Sequence, residues 1–191
     1  MKHRMTLANA TPIGTGAGVC LLLLVAAIGS HQAGAQPPTS DEYQVKAAFL
    51  LNFVQFIRWP AAAFPASDAP IYVGVLGDDP FGTVLEQTFQ DEVIQGRKLV
   101  VKRSRRKEEL KTCQIVFICN SEKDRLPDIL ASFDNTTVVT VGESDQFPQR
   151  GGIIGFYLDA NRVRFAINST AAERKGLRIS SQLLKRAKIV G

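Results

Sequence analysis

Residues 41–60 read DEYQVKAAFLLNFVQFIRWP, and the rest of the chain is organised around them. Thr39 stands three residues before Glu42, the spacing at which two side chains satisfy the free N–H groups of a helix start. Val45, Phe49, Phe53 and Phe56 recur at three- and four-residue steps, as one helical face requires. Leu50, Val54 and Ile57 widen that face, while Gln44, Asn52, Gln55 and Arg58 fall opposite. Trp59-Pro60 is expected to end the helix, because the residue before a proline is driven out of helical backbone. So wide an apolar arc must be covered, either by the domain's own sheet or in part by a partner chain meeting Lys46, Phe53 and Trp59. Lys46 lies at the centre of the arc, four residues after Glu42 in a favourable order for an ion pair. Its side chain reads as a snorkelling stem or as a polar anchor in an interface.

Downstream, short apolar runs alternate with short helical patterns. Ile71 to Leu76 (IYVGVL) and Cys113 to Cys119 (CQIVFIC) read as buried strands, with weaker ones at Gly96 to Lys102 and Thr136 to Val141. Helices are expected at Phe81 to Phe89 and Leu126 to Phe133. Ile153 to Leu158 and Val163 to Ile167 flank the polar link Asp159 to Arg162, a β-hairpin pattern. Ser169 is expected to cap a helix that Gly176 stops, and Ser180 or Ser181 to begin a last one. The expected fold is therefore α/β: a layered sandwich with a mainly parallel sheet, a C-terminal antiparallel hairpin, short flanking helices and one long N-terminal helix.

Residues 1–35 read as a signal peptide. Lys2 and Arg4 precede an apolar core from Val19 to Ile28, and Ala33-Gly34-Ala35 supplies a small-x-small cleavage pattern before Gln36. That core is about half the ~20 apolar residues a membrane-spanning helix needs. Cleavage leaves 191 − 35 = 156 residues, read as a single domain over 36–191, with a formal charge of +5 − 2 = +3. It also removes His3 and His31, and with them every Ser-His-Asp, Cys-His or histidine-metal arrangement. No catalytic, cofactor or metal residues are expected.

Three further patterns invite a site. Gly77-Asp-Asp-Pro80 follows the first strand but has neither dinucleotide glycine spacing nor a phosphate-loop lysine, so a helix-start turn is the simpler reading. Arg97, Lys98, Lys102, Arg103, Arg105, Arg106 and Lys107 form a basic run with no interleaved aromatic for base stacking, and no nucleic-acid partner is expected. Cys113 and Cys119 bracket one strand; at ~3.3 Å per residue they lie about 20 Å apart, well beyond the ~6 Å a disulfide spans. They are expected to be free thiols, with redox pairing between subunits the alternative.

KAAFLLNFVQFIRWP (46–60), GDDPFG (77–82), CQIVFIC (113–119), GGIIGFYLDANRVRFAIN (151–168) and AAERKGLRISSQLLKRA (171–187) together resemble the YfiR-like family of exported proteins, from about Asp41 to Val190. The resemblance implies a small periplasmic α/β protein, often a homodimer, with no enzymatic activity. It implies a repressor that binds the periplasmic part of an inner-membrane diguanylate cyclase or other sensor, and a partner bound to the outer membrane or peptidoglycan that sequesters it. Some members carry disulfides; Cys113 aligns with one such cysteine, but Ile71 to Gly77 holds no cysteine to pair with it. A periplasmic small-ligand binder feeding a sensor or transporter, using loops such as Gly77 to Pro80, is the alternative.

Overall fold

The computed structural model describes residues 40–191; the expected signal segment, its cleavage point at Ala35/Gln36 and the cap residue Thr39 lie outside the described residues. Helix α1 runs from Ser40 to Phe56. Tyr43, Lys46, Ala47, Leu50, Phe53 and Val54 form its buried line, which continues into Ile57. Val45 is exposed and Phe49 and Phe56 are half-buried, so the covered arc is rotated away from these three. The helix stops before Trp59-Pro60 forces it to, because Ile57–Arg58 (β1) pairs antiparallel with Arg178–Ile179 near the C-terminus (β9). Ser180 N donates to Phe56 O at 2.9 Å and takes up a carbonyl at the helix end.

The main sheet contains β2 (Ile71–Leu76), β3 (Val93–Ile94), β4 (Arg97–Ser104), β5 (Ile115–Ile118), β6 (Val139–Gly142), β7 (Ile154–Asp159), β8 (Arg162–Asn168) and β10 (Lys188–Val190). Its order is β10-β8-β7-β6-β5-β2-β4-β3. Only β3–β4 and β7–β8 are antiparallel, so the expected α/β fold with a mainly parallel sheet and a C-terminal hairpin is the observed one. Alternate side chains of β2 and β5 enter separate cores, as strands covered on both faces must. Val73, Val75, Ile115 and Phe117 pack with α1, α2 (Val84–Phe89), α4 (Ser169–Arg174) and α5 (Ser181–Leu184). Leu76, Val116 and Ile118 pack with α3 (Leu126–Phe133).

Local chemistry explains where the expected boundaries shift. Asp79 Oδ1 accepts from Phe81 N at 2.8 Å, closing a turn, so α2 begins only at Val84. The hairpin link is two residues, not four: Ala160 and Asn161 both adopt positive φ (46° and 60°), and the ladder extends to Asp159 opposite Arg162. Asn168, not Ser169, caps α4, its side chain accepting from Ala171 N at 2.8 Å. At the other end of α4, Lys175 Nζ donates to the carbonyls of Phe133, Asp134 and Thr136 at and past the end of α3.

Gln114 joins the layers at the amino ends of the strands. Its amide accepts from Tyr72 N at 2.8 Å and donates to Ala63 O at 2.8 Å, while its own carbonyl accepts from Trp59 Nε1 at 3.1 Å and from Val139 N at 2.9 Å. The link from β6 to β7 contains no helix. Phe147 fills its place under α3, with the ring lying over Gly142 and Gly152; a Cβ at either position would stand 2.3 Å or 2.1 Å from that ring.

Candidate interaction surfaces

At the carboxyl ends of the parallel strands, Lys46 is 4% exposed and holds Glu42 and Glu143 at 2.5 Å each. Its ammonium also lies 4.5 Å from the Tyr43 ring centre, and the Tyr43 hydroxyl donates to both Glu143 oxygens at 3.2 Å. Burial, then the Glu143 charge, pushes the Tyr43 phenol far above its ordinary range, so it stays a donor. The buried ammonium is therefore a clamp between α1 and the end of β6.

The residues expected at an interface do not share one surface. Phe53 is 0% exposed, its ring 5.1 Å from that of Phe165 and 5.7 Å from that of Phe156. Trp59 is half-buried at the opposite end of the strands from Lys46, tied to the Gln114 carbonyl. Glu143 was invisible to sequence reasoning because it lies 97 residues from Lys46, with no local pattern linking them.

Cys113 belongs to the core under α3, and Cys119 to the core under α1. Both are free and buried, with the sheet between them. Burial pushes the Cys113 thiol up to about 11, the Lys102 charge pulling weakly the other way. Burial, then the charge of Glu143, pushes Cys119 higher still. Raised values leave stability intact below the ordinary thiol range; it is lost as pH climbs through that range toward the folded values. At pH 8 we expect a charged alkylating reagent to label neither thiol in the native chain and both after denaturation, read by mass. Rapid native labelling, or an intrachain bridge, would refute this placement.

The basic run from Arg97 to Lys107 is largely neutralised within the chain. Arg103 grips Asp79 and Glu86, Arg105 holds Asp78, Arg106 holds Glu109 and Lys107 holds Asp128. Arg97 stacks 4.0 Å from the Phe64 ring centre, and Lys102 lies 3.5 Å from that of Tyr72. The same pairs occupy the acids of the Gly77-Asp-Asp-Pro80 loop, and the Arg103 guanidinium holds the Glu86 carboxyl below its ordinary range.

Concave regions among the described residues include the following two. A polar cleft of about 530 Å³ beside the carboxyl ends is lined by Asn120, Lys123, Asp124, Glu143, Asp145 and Arg150, among others. An apolar groove of about 400 Å³ lies between α1 and α5, floored by Phe49, Phe56, Phe165 and Leu183. No cluster able to hold a metal occurs among the described residues, and no helix among them is long and apolar enough to cross a membrane.

The sequence profile of the YfiR/HmsC-like family matches residues 43–188, from the first turn of α1 into β10. The chain belongs to this family. YfiR/HmsC-like proteins are periplasmic regulators and are not known as enzymes. No curated protein matches the chain. Among solved structures, a conserved domain protein from Vibrio cholerae O1 biovar El Tor aligns at TM-score 0.52 and 13% identity, over 78% of this chain and 60% of its own. This YfiR/HmsC-like chain thus spans about three fifths of that protein, and the likeness is one of fold. The ABC domain in complex with L-Trp from Streptococcus pneumoniae aligns at TM-score 0.46 and 12% identity, over 63% of this chain and 55% of its own.

Proposed function

We propose that this chain is a non-enzymatic periplasmic repressor that binds the periplasmic part of an inner-membrane diguanylate cyclase and lowers cyclic-di-GMP output. The observation that carries the reading is the family match over 43–188, which takes in both cores and the Lys46 clamp. In this reading residues 1–35 are a signal peptide and 36–191 the single working domain. A homodimer, and a partner at the outer membrane or peptidoglycan that draws the repressor away, belong to the same proposal. Lys46 and Phe53 act there by fixing α1, and Trp59 by fixing its exit, rather than by touching the partner.

Deleting the gene should raise cyclic-di-GMP in the native host, and the exported chain should restore it, whereas a chain lacking residues 1–35 should not. Unchanged cyclic-di-GMP in the deletion strain would sink the reading. The polar cleft, lined by charges of both signs, favours one other reading, a small-ligand binder feeding a sensor or transporter. Calorimetric titration with zwitterionic metabolites tests it, and the absence of heat with any of them removes it.

A further inference from the structure

The fold treats two sets of basic residues differently. Those between Arg97 and Lys107 are mostly spent on carboxylates and aromatic rings of the same chain. Arg58, Arg178, Lys185 and Arg186 are all exposed, and among the described residues none of them holds a carboxylate. Arg58 makes one long bond, to the Gln55 carbonyl at 3.4 Å. The C-terminal sequence carries the same imbalance: from Ser169 onward the only acid is Glu173, against Arg174, Lys175, Arg178, Lys185, Arg186 and Lys188.

These four cations border two adjoining hollows. The apolar groove of about 400 Å³ meets a second hollow of about 330 Å³, and the two share Phe56 and Gln182. Lys185 and Arg186 edge the first, Arg58 and Arg178 the second, and among the described residues no acid lines either. The floor is packed onto the core: Phe49 lies edge-on against Phe165 at 5.2 Å, which in turn packs on the buried Phe53 ring at 5.1 Å. A preformed apolar floor with fixed walls lowers the ordering cost of whatever enters it.

We infer that this groove docks an acidic segment of a protein partner, one that inserts an aromatic or branched aliphatic side chain onto the Phe49–Phe56–Phe165 floor and sets carboxylates against Arg58, Arg178, Lys185 and Arg186. Unpaired like charges around an apolar hollow repel one another, and an acidic ligand removes that repulsion while the hollow is dried. Shape selects a protein segment over a membrane surface. Phe49 and Phe56 are recessed between α1 and α5, so they receive a protruding side chain rather than project into a bilayer. From Phe49 to Phe56 the helix rises ~10 Å at about 1.5 Å per residue, room for roughly two helical turns of a partner. The inference deepens the repressor reading and rests on it for the partner's setting, since it assigns the chemistry of the segment that reading requires.

A display library of random peptides panned against the mature chain supplies the probe. The enriched sequences should carry Asp or Glu flanking Trp, Phe, Leu or Ile. Their synthetic counterparts should lose affinity about tenfold or more on the Arg178→Glu/Lys185→Glu variant and weaken as salt rises. Enriched peptides without acids, or equal binding to the variant, would overturn the inference. So would variant-sensitive sedimentation with phosphatidylglycerol vesicles, or concentration-dependent self-association abolished by the same variant. Circular dichroism melts confirm that the variant is folded; Phe56→Ala, on the floor, provides a second and uncharged loss of binding. Cyclic-di-GMP in the native host separates the two ideas. If the wild-type chain fails to lower it, the repressor reading falls and the peptides alone judge the groove. If wild type and the charge-reversed variant lower it equally, the groove inference falls and the repressor reading stands.

Discussion

Replacing Phe53 with glutamate is expected to abolish the cooperative unfolding transition. The ring is 0% exposed and sits among Phe49, Phe156 and Phe165. Losing a buried phenylalanine costs about 3–5 kcal/mol, and burying a carboxylate with no partner adds several more. Together these approach or exceed the whole stability of an ordinary domain, about 5–15 kcal/mol. Phe53→Leu keeps most of the apolar volume and should retain a sharp melt at lower temperature. A Phe53→Glu chain with native circular dichroism and a sharp melt would show that α1 does not lie against β7 and β8 in solution, and would return Phe53 to the interface.

Lys46→Ala is expected to be nearly as damaging, for an electrostatic reason. It removes the buried ammonium that Glu42 and Glu143 share, and takes from the largely buried Glu143 carboxylate the cation it pairs with. Removing one partner from a buried pair costs about 3–5 kcal/mol, a fall in Tm on the order of 10 °C for a domain of this size. Replacing both charges, as Lys46→Met with Glu143→Leu, should recover much of the loss, because neutral packing is often no worse than a buried pair. Thermal melts of the single and double variants decide it. A single variant within about 0.5 kcal/mol of wild type would mean that the clamp is ornamental.

Those two residues also mark what could be read in advance. Ile71–Leu76 and Ile115–Ile118 are buried on both faces, so they appear in sequence as unbroken apolar runs, and the α/β layering followed from them. The centre of the α1 arc was legible too, since helical spacing alone puts Lys46 there. Its partner was not, because Glu143 reaches it only through the sheet order. The two-residue strands β1 and β9 were hidden for the same reason: Ile57 and Ile179 pair across 122 residues (179 − 57), and neither has a local strand pattern. Basic clusters could not be ranked from the sequence. Charge counts along a chain cannot tell spent cations from available ones, so the conspicuous run at Arg97–Lys107 drew attention while the groove cations at Arg58 and Arg178–Arg186 did not.

The ring of Phe147, seated over Gly142 and Gly152, imposes an order of events. Its seat does not exist until β6 and β7 lie side by side, since one glycine ends the first strand and the other precedes the second. The β6–β7 link can therefore close only once those two strands have paired. Contacts made after the rate-limiting barrier slow unfolding and leave the folding rate nearly untouched. Phe147 is thus a latch on the finished domain: trimming it to leucine should shorten the lifetime of the native protein and change hardly at all how fast that protein forms.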